Sequence, residues 1–355
     1  MKLIIQPDDG VAPIVSAIKQ ARKTIDILIF RLDRHEIVQA LESANARGVR
    51  VRALTAHQNR GGTKSLRKLE MDLLEGGVTV SRTADDLIRY HGKMMIVDGK
   101  FLHVYGFNFT ALDIAKSRSF GIVTKNKKLV GEAAKLFEAD FERQPYTSTC
   151  ERFIVSPDNA RERLVKFLKG ARKQLLIYDP KISDDAMLRI ITERIKKGVK
   201  VKILGKVEAK WNMKSEKFPG KRLHIRAIIR DGERAFVGSQ SLRRLELEKR
   251  REVGVIVDDQ SVVSCLYPVA LAHGREVRTV EGLADEDGTL NPLQDAILDT
   301  GGVQCGISTP GVLMTLTALL ERNPRPTEPE IRVALAGNVC RCTGYQKIVD
   351  AVLAL

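Results

Sequence analysis

Two histidine-centred motifs with the same spacing, H-x-[K/R]-x4-D, carry most of the chemistry available to this sequence. Each combines a histidine, a cation and an aspartate: His91, Lys93 and Asp98 in the first, and His224, Arg226 and Asp231 in the second. Both continue into a short turn, YGFNFT at 105–110 and GSQSLR at 238–243. Because a histidine can be a nucleophile or a proton donor, and a neighbouring cation can hold an anion, the motifs favour chemistry on a phosphate ester.

Cleavage of a phosphodiester in two steps needs a nucleophile and a proton donor on opposite sides of phosphorus, and two half-sites supply both. One neutral imidazole attacks to give a phosphohistidine, while the other donates a proton to the leaving oxygen and later activates water or an alcohol. We expect Lys93 and Arg226 to hold the non-bridging oxygens. Neutral donors in the two turns would assist them: Asn108, Ser239 and Ser241. This scheme requires no metal ion.

The two motifs belong to an internal repeat that covers the first two-thirds of the chain. ARKTIDILIF (21–30) matches ARKQLLIYDP (171–180), and RGVRVRAL (47–54) matches KGVKVKIL (197–204), both at an offset of 150. The histidines, the aspartates and the pair SRSFGIV (117–123) and RREVGVIV (250–257) match at an offset of 133. The drop of 17 falls between Leu54 and His91, and we attribute it to one deletion in a connecting loop, where length varies most easily. Two related half-sites predict one composite site on a pseudo-twofold axis.

Alternating elements position these motifs in each repeat. The first repeat predicts a helix over 11–22, a strand over 25–30, a helix over 35–47 and a strand at VRVRAL, and the second predicts their equivalents at 159–172, 174–178, 184–197 and VKVKIL. The histidine strand, a turn and two further strands follow. Short Val-, Ile- and Leu-rich strands between helices predict an α/β fold with a mostly buried sheet. A last helix over 129–143 closes the first repeat and has no equivalent in the second.

Composition changes near residue 260, where we place a domain boundary. The 355-residue chain has a net charge of +15, but residues 261–355 hold 7 Lys/Arg and 11 Asp/Glu, so the preceding 52 basic and 33 acidic residues carry a net +19. Cys150 stands alone in the front part, whereas the other four cysteines lie behind Ser261. A mean hydropathy of −0.15, no apolar run near 20 residues and no signal-like N-terminus predict a cytoplasmic protein.

Residues 1–258 resemble the phospholipase D-like superfamily, which is defined by paired HxKxxxxD motifs and GSxN-type turns. The resemblance implies a two-lobed fold in which both histidines meet at the floor of a cleft. It implies His91 as the nucleophile and His224 as the general acid, with Asp98 and Asp231 orienting the site; the residues alone leave the order of the histidines open.

Several positions depart from that family pattern. Arg226 replaces a lysine, and the first turn keeps Asn108 but has no serine, whereas the second keeps Ser239 but has Ser241 in place of the asparagine. Glu252 fits an acidic position of the family, and its equivalent in the first repeat is Ser119. Each half therefore lacks different groups, and the composite site retains one of nearly every group. The alternative is a binding-only relic whose histidines form hydrogen bonds at strand ends.

The C-terminal part resembles the small iron–sulfur subunit of the molybdenum hydroxylases, the xanthine dehydrogenase and carbon monoxide dehydrogenase group. VQCGISTPG (303–311) and NVCRCTGYQKIVDAV (338–352) match the CGxCTPG and CRCTGY phrases of its helical 2Fe–2S domain. The resemblance implies cluster ligands at Cys305, Cys340 and Cys342, with Ser308 in the place of the fourth cysteine. Because a serine hydroxyl ionises far less readily than a thiol, we expect weaker iron binding.

The resemblance also places Cys265 as the last ligand of a ferredoxin domain whose remainder is missing, so we interpret it as an ordinary thiol. Helices are predicted in NPLQDAILDTG, TPGVLMTLTALLERNP and PTEPEIRVALAGN, which together form a small bundle. A bundle without metal is the simpler alternative. The predicted domains are thus 1–148 and 149–260 for the two repeats, 261–290 for a linker, and 291–355 for the helical domain.

Two functions remain open on the sequence. The first is a phosphodiesterase or phosphatidyl transferase; its positive charge favours phospholipid or nucleic acid substrates and permits peripheral contact with an anionic membrane. The second is an electron-transfer subunit that docks on a molybdopterin hydroxylase through its C-terminal part. A third alternative is a fused reading frame in which neither part keeps full activity.

Overall fold

The computed structural model describes residues 2–58, 63–218, 220–232, 234–258, 277–285 and 287–355. It divides the chain into two compact units, Met1–Asp258 and Asp259–Leu355. Cys265 and the segment that follows the second repeat, where we predict no closing helix, lie outside the described residues.

The first unit contains both repeats as mixed α/β structure. The first repeat comprises β1 (Lys2–Gln6), α1 (Ala12–Gln20), β2 (Thr24–Ile29), α2 (His35–Ala46), β3 (Arg50–Thr55), α3 (Thr63–Glu75), β4 (Thr79–Arg82), β5 (Arg89–Tyr90), β6 (Met94–Val97), β7 (Phe101–Tyr105), α4 (Ala111–Lys116), β8 (Ser117–Thr124) and α5 (Lys127–Phe141). The second comprises β9 (Phe153–Ser156), α6 (Ala160–Lys169), β10 (Gln174–Ile182), α7 (Asp185–Lys196), β11 (Lys200–Val207), β12 (Arg222–Leu223), β13 (Ala227–Arg230), β14 (Arg234–Gly238), α8 (Arg244–Glu248) and β15 (Arg250–Asp258).

Each repeat builds one sheet, and the predicted two-lobed α/β fold is confirmed. The first sheet has the order β1-β8-β7-β6-β2-β3-β4, and the second has the order β11-β10-β13-β14-β15-β5, with β9 also paired to β15. Strands β2, β3 and β4 run parallel, as do β10 and β11, whereas the hairpins around the motifs are antiparallel. Apolar residues of β6, β7, α5, β9 and β15 form one core that joins the two repeats.

Two short strands cross between the repeats immediately before the histidines. β5 of the first repeat pairs with β15 in the second sheet, and β12 of the second repeat pairs with β8 in the first sheet. Each histidine is thereby carried to the sheet of the other repeat. This exchange places the chain that leads into each histidine motif against the other repeat.

The length difference between the repeats is a helix and a strand, so our attribution to a loop deletion was wrong. In the first repeat the stretch between β3 and the histidine holds α3 and β4, and β4 pairs with β3. Among the described residues between β11 and β12, the second repeat has one 3₁₀ turn, Ala209–Trp211, in place of this helix and strand. Strand β11 is consequently an edge of its sheet, with exposed lysines at Lys200, Lys202 and Lys206.

The second unit is a helical bundle, as predicted. It contains a 3₁₀ turn (Val280–Gly282) and the helices α9 (Pro292–Asp299), α10 (Thr309–Arg322), α11 (Glu328–Leu335) and α12 (Gln346–Leu353). Capping boxes start α9 at Asn291 and α11 at Thr327. Leu316, Ile331 and Val349 are fully buried among the apolar side chains between the helices. Within the described residues of both units, no helix is long and apolar enough to cross a membrane.

Candidate functional site

The two histidines are held by equivalent backbone hydrogen bonds to the opposite repeat. The His91 N–H donates to the Arg251 carbonyl at 2.7 Å, and the His224 N–H donates to the Arg118 carbonyl at 3.0 Å. Arg118 and Arg251 are themselves related by the offset of 133. Both imidazoles are nearly buried, with exposed fractions of 9% and 7%. The pseudo-twofold relation expected from the sequence therefore extends to the backbone around the rings.

The His91 ring contacts a carboxylate of the second repeat. Its Nδ1 lies 2.9 Å from Oε2 of Glu252, a side chain with no exposed surface. Burial raises the pKa of this glutamate even though Lys93, Ser239 and Arg226 act in the opposite direction. Because the carboxylate engages Nδ1, Nε2 is the ring nitrogen with no carboxylate partner in the described part of the chain.

Lys93 is fully buried beside the His91 ring. Its Nζ lies 2.9 Å from Nδ1 and 3.0 Å from Nε2, and it donates to the His91 carbonyl. Burial lowers the pKa of Lys93 to about 7, although Glu252 acts to raise it. An anion that binds next to this buried ammonium would raise its pKa again, so that Lys93 is fully protonated when the site is occupied.

His224 faces a carboxylate of the first repeat that we did not identify from the sequence. Its Nδ1 lies 3.5 Å from Oδ2 of Asp113, and no hydrogen bond to Nδ1 is formed at this distance. Asp113 is buried and accepts from the Asn108 backbone N–H at 2.9 Å and from Arg222 Nη1. Burial alone would raise the pKa of Asp113, but His224, the Asn108 N–H and Arg222 lower it overall.

Arg226 is bound by a second carboxylate that the sequence analysis missed. Its Nε lies 3.7 Å from Oε2 of Glu246, and Glu246 also contacts Arg250 at 3.3 Å and Arg243 at 3.1 Å. The Ser241 backbone N–H donates to Glu246 at 2.7 Å. Glu246 and Asp113 are related by the offset of 133, and each follows its turn residue by five positions. Matching acidic residues in the repeat were the signal that could have revealed this pair.

The turn residues support the site to different degrees. Asn108 is buried and donates through Nδ2 to Asp113 at 2.7 Å, while its Oδ1 has no hydrogen-bond partner. Ser239 is fully buried and exchanges hydrogen bonds with the backbone of Val253. Ser119, the counterpart of Glu252, donates to the His224 carbonyl at 3.3 Å.

Asp98 and Asp231 lie at the other end of their strands from the histidines. Each occupies the first position of an Asp-Gly hairpin turn, with φ of 54° and 58° followed by glycines of positive φ. Asp98 accepts the backbone N–H groups of residues 22–24, and Asp231 accepts those of residues 172–174. About 16 Å of extended chain separates Lys93 from Asp98. The two aspartates thus fix the hairpins that carry the motifs, and their carboxylates contact backbone.

Both histidines are kept neutral by the same influences. Burial first, and then the charge of Lys93 followed by that of Arg226, lower the pKa of His91 well below its usual value. Burial and then Arg226 do the same for His224, while Asp113 acts in the opposite direction. Cationic neighbours prepare a site for an anion, and an anion bound there would restore proton affinity to the rings.

The second unit brings the predicted iron ligands together at one end of its bundle. Cys305 and Cys342 are exposed, with their sulfurs 3.2 Å apart. The Cys340 sulfur lies 3.1 Å from the Thr343 hydroxyl, and hydrogen bonds from Ser308 and then Thr343 lower the pKa of Cys340 to about 6. The Tyr345 hydroxyl receives the Cys340 N–H at 2.7 Å and fixes this loop.

The four side chains form two pairs, Cys305 with Cys342 and Cys340 with Ser308. Among the described residues, no three histidine, cysteine or acidic side chains are already gathered around the position of a single ion. A binuclear cluster needs two terminal ligands on each iron, so the paired arrangement fits a 2Fe–2S group better than one metal ion.

Comparison with protein families identifies two different domains. Residues 14–142 match the family described as cardiolipin synthase, PLD-like domain, and residues 279–353 match the [2Fe-2S] binding domain family. The chain therefore carries a phospholipase D-like domain followed by a helical domain of 2Fe–2S-binding type, as its motifs predicted.

Curated relatives match the C-terminal part. The nicotine 6-hydroxylase small subunit of Paenarthrobacter nicotinovorans is 52% identical over 99 residues, which is 28% of this chain and 59% of that subunit. The xanthine dehydrogenase iron-sulfur-binding subunit of Escherichia coli O157:H7 is 52% identical over 102 residues, 28% of this chain and 63% of the subunit. The chain thus spans about three-fifths of the length of these relatives.

Solved structures are similar to this chain in fold. The polyphosphate kinase of Porphyromonas gingivalis aligns with a TM-score of 0.60 at 17% identity, over 76% of this chain and 45% of the kinase. The phosphatidylserine synthase of Haemophilus influenzae Rd KW20 aligns with a TM-score of 0.55 at 10% identity, over 72% of this chain and 82% of the synthase. At these identities the likeness shows the architecture.

Proposed function

We propose that the first unit is a phosphodiesterase or phosphatidyl transferase that works through a phosphohistidine. The observation that carries the proposal is the reciprocal exchange of β5 and β12, which sets His91 and His224 against opposite repeats at equivalent backbone hydrogen bonds. Two imidazoles presented in this way can serve the two sides of one phosphorus atom. The phospholipase D-like match to residues 14–142 supports the same chemistry.

In the first step, Nε2 of His91 attacks phosphorus, the phosphorus–nitrogen bond forms, and the bond to the leaving oxygen breaks. The leaving oxygen takes its proton from Nε2 of His224. In the second step neutral His224 removes a proton from water or an alcohol, whose oxygen attacks phosphorus while the bond to His91 breaks. His91 suits the nucleophilic role because Glu252 engages its Nδ1 at 2.9 Å and increases the basicity of Nε2.

Lys93 and Arg226 stabilise the charge that develops on the non-bridging oxygens. The same cations depress the pKa of each histidine in the free protein. A bound phosphodiester brings one negative charge close to them, so His224 regains the proton that a general acid needs. Asn108, Ser239 and Glu252 hold the surrounding groups in position. Asp98 and Asp231 fix the hairpins, a role that acts through the backbone.

The decisive experiment is hydrolysis of a chromogenic phosphodiester without added metal by the intact chain, His91→Ala and His224→Ala. We expect both variants to lose at least 10²-fold in rate. His35→Ala is the matched control, since this exposed histidine lies at the start of α2, outside the site, and should keep full rate. Full activity in either site variant would refute the composite site.

The covalent step has its own readout. Rapid quenching of the intact chain with a labelled substrate should give a phosphoryl group that is stable in base and labile in acid, as phosphohistidine is. Mass spectrometry should place it on His91. A label on His224 instead would reverse the two roles while keeping the mechanism.

Substrate class follows from charge, and we propose phospholipid or nucleic acid. The net charge of +19 before Ser261 attracts polyanions, and a cytoplasmic protein would reach lipid at an anionic membrane surface. Flotation with anionic vesicles at low and moderate salt, compared with binding to single-stranded DNA, separates the two. If the protein does not bind the vesicles at either salt concentration, phospholipid is excluded as the substrate class.

For the second unit we propose a 2Fe–2S cluster held by Cys305, Cys340, Cys342 and Ser308. When bound, such a cluster carries one electron. The protein groups hold it: two thiols at the Cys305 pair, and one thiol and one hydroxyl at the Cys340 pair. The similarity of residues 279–353 to hydroxylase small subunits supports docking on a molybdopterin hydroxylase subunit, for which pull-down with such a subunit is the test.

A further inference from the structure

The two histidines have unequal carboxylate partners, although the fold treats them alike. His91 has Glu252, which lies one residue after Arg251, the residue whose carbonyl accepts the His91 N–H. The equivalent neighbour of His224 is Ser119, whose hydroxyl reaches only the His224 carbonyl. Repeat symmetry alone would therefore leave the His224 ring without an acidic partner.

Asp113 supplies a carboxylate near the His224 ring, where the repeat counterpart of Glu252 is a serine. Its Oδ2 is the acidic oxygen facing Nδ1 of His224, at 3.5 Å, and the side chain is buried. Its mirror position in the second repeat, Glu246, is turned to Arg226 at 3.7 Å instead. The same repeat position thus faces Arg226 in the second repeat, as Glu246, and His224 in the first, as Asp113.

We propose that Asp113 is the positioning residue of His224. Ser119, at the repeat position of Glu252, has no carboxylate, and Asp113 supplies one from a different position in the repeat. In this arrangement Nδ1 of His224 carries the proton and points it at Asp113, so that Nε2 faces the substrate. The inference rests on the proposed function for its catalytic meaning, but the ring orientation itself is independent of activity.

Further hydrogen bonds fix the position of the Asp113 carboxylate. The Asn108 backbone N–H and Nδ2 donate to the same Oδ2, and Arg222 holds the other oxygen. The charged groups with the largest effect on the pKa of His224 are Arg226, Asp113, Arg222 and Lys93. Asp113 is the acidic member of this group, so its removal leaves the ring among cations.

The test is the tautomer of His224, read from the ¹⁵N shifts of histidine-labelled protein at pH 8 and assigned by comparison with His224→Gln. We expect the Nδ1–H form in the unaltered chain and a shift towards Nε2–H in Asp113→Asn. The double variant Asp113→Asn with Ser119→Glu should restore Nδ1–H, because it places the carboxylate at the mirror position of Glu252. An Nε2–H form in the unaltered chain, or no change in Asp113→Asn, would overturn the inference.

Glu246→Gln is the matched control. Glu246 receives the Ser241 N–H as Asp113 receives the Asn108 N–H, so this variant loses an equivalent charge while the His224 tautomer should not change. A change as large as that of Asp113→Asn would mean that any loss of charge in the site has this effect, and would also overturn the inference.

Activity supplies the second readout. Asp113→Asn should lose roughly 10–100-fold in kcat for a phosphodiester, and addition of Ser119→Glu should recover at least tenfold. If the intact chain has no phosphodiesterase activity, the proposed function fails while the tautomer result still decides the role of Asp113. If the chain is active and the added glutamate recovers nothing, the positioning role fails alone.

Discussion

Replacing Lys93 with methionine should make the first unit more stable while removing the phosphodiesterase activity that we propose for it. Lys93 has no exposed surface, and burial lowers its pKa from the ordinary 10.5 to about 7. A fall of roughly 3.5 pKa units makes the charged side chain cost about 4 kcal/mol at pH 7, at about 1.4 kcal/mol per unit. Methionine has a similar length and no charge, so most of that cost disappears.

The sign of the pH dependence follows from the two pKa values. The unfolded chain holds the Lys93 proton up to pH 10.5, whereas the folded chain holds it only up to about pH 7. The unfolded state therefore binds more protons between these limits, and the unaltered protein gains stability from this residue as the pH rises. The advantage of Lys93→Met should be complete below pH 7 and should shrink progressively towards pH 10.5.

Urea unfolding followed by tryptophan fluorescence measures this directly. Trp211 is the single tryptophan of the chain and lies in the first unit, so the signal is independent of the helical bundle. We expect Lys93→Met to raise the free energy of unfolding by about 2–4 kcal/mol at pH 6.5, since Glu252 loses an attractive neighbour and offsets part of the gain. The gain should be clearly smaller at pH 9.5.

Lys68→Met is the control, because this exposed lysine of α3 should change the free energy by less than about 0.5 kcal/mol. A Lys93→Met variant that is less stable than the parent at pH 6.5, or whose gain is constant with pH, would show that the buried ammonium is not strained by its surroundings. The interpretation of Lys93 as a cation held ready for an anion would then be wrong.

Three further outcomes are expected. Asp98→Ala and Asp231→Ala should each lower the free energy of unfolding by about 1–3 kcal/mol in the same urea assay, because three backbone N–H groups lose their acceptor in each case. Surface substitutions change this free energy by up to ~0.5 kcal/mol, so a smaller change in both variants would contradict the role of the aspartates in fixing the hairpins. Ser308→Cys should raise the iron bound after anaerobic reconstitution and strengthen the 2Fe–2S absorption, and equal iron in both proteins would show that the serine is an adequate ligand. The fragment Met1–Asp258 should keep the Trp211 unfolding midpoint of the intact chain, because its cores consist of its own residues; a higher midpoint in the fragment would favour an accidental fusion.

Much of the fold could be predicted because the hydrophobic pattern and the repeat agree. Helix α2, predicted over 35–47, spans His35–Ala46, and α7, predicted over 184–197, spans Asp185–Lys196. Strand boundaries moved further, since pairing with neighbours extends β10 to Ile182, beyond its predicted end at 178. Tertiary hydrogen bonds decide such ends, and local propensity does not contain them.

The missed elements share a physical reason. α3 lies in a stretch that we assigned to a loop, because it has no counterpart in the second repeat, and α4 and α8 are short helices that begin directly after the predicted turns. The repeat was used to align what the copies share. Features present in one copy only, including a helix and its strand, were therefore left without an assignment.

The sequence predicted the histidines, the two cations and Glu252 of the candidate site, but it did not reveal Asp113 or Glu246. His91, His224, Lys93 and Arg226 follow from motif spacing, whereas Asp113 approaches His224 because β12 crosses to the first sheet, and Glu246 contacts Arg226 within the second repeat. A strand exchange of two residues has no signature in composition or periodicity. Pairing His91 with Glu252 likewise required the register of β15.

The lysines of β11 determine how the second lobe behaves at high concentration. In the described part of the chain no counterpart of β4 pairs with this strand, which offers backbone N–H and carbonyl groups on its outer side, and Glu216 bonds the backbone of Ile203 and Gly205 at its middle. Lys200 and Lys202 are exposed on this strand, and Lys202 lies 3.6 Å from Glu216. Because charged side chains on an edge strand oppose pairing with another edge, we expect acetylation of these lysines to increase self-association at high concentration.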